Sequence, residues 1–199
     1  MPKIRPLSEY EYRQEVSHVF NSIFQSDDPF DEPMRPTIHP RAILYPVAYE
    51  LEPVKLQAVV AAAQVVGDIG FYLSVTERPP VSDQNRPYHW FIPLEDPGLY
   101  YSLNGYQFVL ENAIYSPKGR WGMIISHEQH AIVGGCDPFL NTLFAHLSVS
   151  EAEQVNAFLS NWRDNYNRFG SKIDWLPRLM THAYGVEEAQ RLLMEAGLA

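Results

Sequence analysis

The chain has 199 residues, 46% of them hydrophobic and 20% charged, and its 15 basic and 24 acidic side chains leave a formal charge of −9. That apolar share is ample for a core and the length suits a single domain over residues 1–199. The acidic balance excludes a general nucleic-acid binder, whose affinity comes largely from Lys and Arg neutralising phosphates. Cys136 stands alone, which excludes an intrachain disulfide and a Cys-rich metal site. Whether its thiol is made reactive by pairing with His127 or His130 is left open by the sequence.

The first fifteen residues lack the apolar core of a signal peptide. The longest largely apolar run, Val54 to Val66, contains Lys55, Gln57 and Gln64 and is too short to span a bilayer. A cytoplasmic protein without a membrane segment is therefore expected.

The first element is a helix. Ser8 and Glu11 have the spacing of a capping box, and Tyr12, Val16, Val19, Phe20, Ile23 and Phe24 recur on one face behind it. Residues 26–40 hold four prolines and four acidic side chains, so they end the helix and form either an ordered arm or a mobile acidic loop. Arg41 to Leu51 reads as extended. A second helix runs from Pro53 to about Val66, with Leu56, Val59, Val60, Ala63 and Val66 as its stripe and Gly67 as its terminator.

The period then changes. Ile69–Val75, His89–Leu94, Tyr106–Tyr115, Arg120–Ser126 and Ala131–Val133 are rich in aromatic and β-branched residues and bounded by turn formers. Their short connections predict consecutive antiparallel strands, with a hairpin over 106–126 turning at Ser116-Pro117-Lys118-Gly119. From Asp137 the chain reads as helical. Asp137 is placed to cap, Pro138 to fill a first turn, and Ser150 and Glu153 form a second capping box ahead of Val155, Phe158, Leu159, Trp162 and Tyr166. Two shorter helices follow, about 174–184 and 186–196, parted near Gly185. The predicted fold class is α+β: an antiparallel meander of about five strands, flanked by N-terminal helices and a C-terminal helical region.

His127-Glu128-Gln129-His130 is the nearest approach to a metal motif, but its histidines are three apart on strand-like flanks and no third ligand is evident. No metal and no cofactor are expected on this reading. No Gly-rich phosphate loop and no G-x-S-x-G elbow occur, so no catalytic residue is assigned. The distinctive segment is 113–139, AIYSPKGRWGMIISHEQHAIVGGCDPF. It reads either as a hairpin and sheet-to-helix corner anchored by a buried Trp121, or as a recognition surface made of Trp121, His127, Glu128 and His130. Its run S-P-K-G-R-W-G-M-I-I-S-H-E-Q-H-A-I-V-G-G resembles a pattern in small bacterial proteins grouped with the immunity proteins of polymorphic toxin systems. The resemblance covers about 30 residues, fixes no catalytic group, and implies a toxin-neutralising or other binding role. Charge, aromatic content and this resemblance give the leading expectation: a non-enzymatic module that binds a protein partner, with a basic one expected from the charge. The alternatives are a hydrolase-like enzyme centred on His127, Glu128 and His130, and a structural subunit of a larger assembly.

Overall fold

The computed structural model describes residues 3–77, 87–106 and 111–198. Seven strands, β1 (Arg5–Leu7), β2 (Arg41–Leu44), β3 (Gly70–Val75), β4 (His89–Pro93), β5 (Asn112–Tyr115), β6 (Trp121–Ile125) and β7 (Ala131–Gly135), form one sheet in the order β1-β4-β3-β5-β6-β7-β2. Every neighbouring pair is antiparallel. The fold is α+β.

The sheet is wider than the five-strand meander predicted. β1 is three residues long and contains a proline. β2 is a four-residue apolar run that becomes a strand by pairing with β7, about ninety positions later in the chain. Neither carries a local period. The order also departs from a simple meander, because β5 returns past β4 to pair with β3. The predicted strand over 106–115 is shorter than expected: β5 begins at Asn112, Tyr106 closes a 3-10 segment (Pro97–Tyr106), and 107–110 lie outside the described residues.

Side chains alternate across the strands, so each strand feeds two cores. Phe71, Leu73, Trp90, Ile92, Ile114, Trp121, Met123 and Val133 point to one face, covered by α3 (Pro53–Val65), α4 (Asp137–Ala145) and the 3-10 segment. Leu7, Ile43, Ala113, Tyr115, Ile124 and Ile132 point to the other, covered by the N-terminal helix, α5 (Glu151–Phe169), α6 (Leu176–Tyr184) and α7 (Val186–Ala196). Burial on both faces explains why the strands read as nearly continuous apolar runs.

The helix boundaries follow their caps. Ser8 with Glu11, and Ser150 with Glu153, form reciprocal capping boxes as predicted. The N-terminal helix passes from α1 (Glu9–Glu11) through a π-helical turn (Tyr12–Val16) into α2 (Ser17–Ile23), which adjusts the face that reaches the sheet. In α4 the N-cap is Cys136, and Asp137 is the first helical residue rather than the cap. Cys136 is half-buried at the far end of β7 from His130, about 20 Å away at the usual rise per strand residue. The pairing of its thiol with His130 is thereby removed.

Residues 26–40 form an ordered arm. Phe24 bridges to Met34, and the buried Arg41 donates to the carbonyls of Arg35, Ile38 and His182, tying the arm to α6. Arg178 holds Asp31 at 2.8 Å and Glu32 at 3.2 Å. No helix among the described residues is long and apolar enough to cross a membrane.

Candidate functional site

The distinctive segment 113–139 divides into a packing half and an exposed tip. Trp121 is fully buried; its indole N–H donates to Asp68 Oδ2 at 2.8 Å and its ring stacks on Phe139. Gly122 and Gly134 face one another across β6 and β7. A Cβ on Gly122 would lie 2.6 Å from Ile23 and Phe24, and one on Gly134 would lie 2.5 Å from Met34 Sδ. These glycines let α2 and the 26–40 arm lie directly on the sheet. The W-G…G-G pattern is therefore a packing device, and Trp121 does not belong to a recognition surface.

His130 is removed from that surface as well. It is fully buried, with Phe30, Phe158 and Trp175 around its ring. Its Nε2 lies 3.5 Å from the Pro29 carbonyl. Burial lowers its pKa to about 4, so the imidazole is neutral at pH 7. A hydrolytic site using His127, Glu128 and His130 together is not formed, because His130 cannot reach solvent.

His127 and Glu128 remain exposed, on the turn between β6 and β7. Ser126 Oγ accepts the Glu128 N–H, and Gln129 takes the left-handed conformation at φ 62°. The turn lifts His127 toward the ends of two neighbouring strands. Glu111 immediately precedes β5, and its carbonyl accepts the N–H of Thr76 at 2.9 Å and of Glu77 at 3.4 Å. The β3–β5 and β5–β6 pairings thus bring Glu77, Glu111 and His127 to one end of the sheet. One ligand-capable atom from each lies within 4.8 Å of the other two.

His127 Nδ1 is 2.7 Å from Glu111 Oε1, and its Nε2 is 3.7 Å from Glu128 Oε1. Glu111 is 9% exposed. Burial raises its pKa, the bond to His127 opposes that rise, and the charges of Glu77 and Asp28 add to it. Phe30, on the arm, meets the His127 ring at 5.3 Å. The acidic arm and the histidine tip, separate features in the sequence, form one exposed corner. Glu77 and Glu111 were missed because an acidic residue at a strand end reads as ordinary solvation; strand register alone joins them to His127.

The chain matches no protein-family model, no curated protein and no solved structure in the three comparisons made. The chemistry of this corner therefore rests on its own residues. Two other clefts lie away from it. One is a groove of about 540 Å³ between α5 and α7, lined by Glu151, Tyr184, Glu188 and Arg191; the other is a hollow of about 200 Å³ beside Tyr45 and Lys55.

Proposed function

We propose that this chain is a non-enzymatic protein-binding module, an immunity-type protein that presents the corner of Asp28, Glu77, Glu111, His127 and Glu128 to a basic protein partner. The observation that carries the reading is the grouping of Glu77, Glu111 and Glu128 around His127 at an exposed strand end, with the charge of Asp28 also acting on Glu111. Among the described residues, the charged groups that act on Glu111 are His127 and two further carboxylates, Glu77 and Asp28, with no Lys or Arg among them. Concentrated charge of one sign raises the rate at which an oppositely charged partner is captured and selects against wrong partners. The resemblance of the surrounding segment to immunity proteins agrees with this use.

The hydrolase alternative has one feature in its favour, the 2.7 Å His127–Glu111 pair, which orients an imidazole as a general base requires. Among the described residues His127 bonds to no hydroxyl or thiol, so no protein nucleophile accompanies it. Binding is the better reading. Its test is the protein encoded beside this one in the host genome, co-expressed and titrated calorimetrically at low and at raised salt. Tight association that weakens with salt, and weakens further in the triple variant Asp28→Asn/Glu77→Gln/Glu128→Gln, supports the proposal. Association that is indifferent to salt and to the variant overturns it.

A further inference from the structure

We infer that Glu77, Glu111 and His127 form a binding site for one divalent first-row transition ion, with zinc as its best probe. The inference does not depend on which protein the corner meets.

The three donors come from the ends of three successive neighbours in the sheet, β3, β5 and β6, whose backbones are hydrogen-bonded to one another. The site is thus built on rigid elements rather than on a free loop. Its ligand-capable atoms lie within 4.8 Å of each other. His127 Nδ1 and Glu111 Oε1 are hydrogen-bonded at 2.7 Å, so a bound ion would replace that bond and part the two atoms to roughly 3.3 Å, the separation of adjacent ligands in a tetrahedral shell at about 2.0–2.2 Å.

The imidazole supplies an argument separate from the carboxylates. A neutral imidazole has one N–H and one lone pair. Both ring nitrogens of His127 face carboxylate oxygens, Glu111 at 2.7 Å and Glu128 at 3.7 Å. A neutral ring satisfies only one of the two, so the pair calls for positive charge at His127, carried by a second proton or by a bound cation. Among the described residues, three carboxylates around one imidazole carry charge −3 against at most +1, and one of them, Glu111, is nine-tenths buried. A dication at Glu77, Glu111 and His127 resolves this arrangement, leaving Glu128 beside it as an acceptor.

The donor set also selects the ion. Calcium and magnesium prefer all-oxygen shells. Imidazole with carboxylate suits zinc and its first-row neighbours, and three protein ligands leave a position for water or for a partner's side chain.

The test is calorimetric titration of the metal-free full chain with zinc chloride at pH 7.5, repeated with calcium chloride. One zinc per chain is expected, with no calcium binding at the same concentration. His127→Gln and Glu77→Gln change exposed side chains and should each weaken zinc binding about tenfold or more, with unchanged circular dichroism. His146→Gln alters an exposed histidine at the C-cap of α4 and should leave binding intact. No zinc binding, preference for calcium, binding that survives His127→Gln, or equal loss in His146→Gln would each overturn the site.

Discussion

Acid should destabilise this protein through His130, and the size of the effect follows from its burial. The imidazole is enclosed by Phe30, Phe158 and Trp175, and its pKa is lowered from 6.5 to about 4. In the unfolded chain the same group titrates near 6.5. Above pH 6.5 both states are neutral and the histidine adds no pH dependence. As pH falls from 6.5 toward 4 the unfolded chain binds a proton that the folded protein does not, so stability declines. At roughly 1.4 kcal/mol per pH unit, the loss attributable to His130 reaches about 3 kcal/mol near pH 4. His182, lowered to about 4 by burial and by Arg41, acts in the same direction. The assay is urea denaturation of the wild type and of His130→Leu at several pH values from 7.5 to 4.5. The wild type should lose stability more steeply, the difference growing only below pH 6.5. Parallel curves for the two proteins would refute the reasoning.

Other consequences concern packing and charge. Trp121→Ala should lower stability by about 3–5 kcal/mol, since it opens a core cavity and strips Asp68 of its indole donor; an unchanged denaturation midpoint would show that Trp121 is not the anchor described. Gly134→Ala should be destabilising by about 1–3 kcal/mol, because its Cβ would meet Met34, Ile38 and Arg41. The same denaturation experiment measures it, and a neutral result would mean that the arm sits further from the sheet. Asp31 and Glu32 are paired with Arg178, so neutralising Asp27 and Asp28 should slow partner association more than neutralising Asp31 and Glu32; stopped-flow rates at low salt distinguish the two pairs.

The sequence was most legible where physics is local. Both Ser-x-x-Glu capping boxes, the Gly185 break and the Ser116–Gly119 turn stand where their residues put them, because each is fixed by neighbours a few positions apart. Arg41–Leu51 read as extended, but its membership of the sheet was not legible, since only Arg41–Leu44 forms a strand and it is ordered by β7. The same limit governs the site. His127 and Glu128 were singled out as a turn tip, while Glu77 and Glu111 joined them only through register. Trp121 and His130 drew attention as distinctive residue types, yet their chemistry serves the interior: an indole bonded to a buried carboxylate, and a neutral imidazole among aromatic rings.

The most direct examination of the proposed function is a nitrogen-15 NMR titration of the labelled chain with the protein encoded beside it. The account predicts that the largest shift changes fall on Asp28, Glu77, Glu111, His127 and Glu128, and that they diminish as salt is raised. A footprint centred instead on the groove between α5 and α7, around Tyr184 and Arg191, with the acidic corner unmoved, would contradict it.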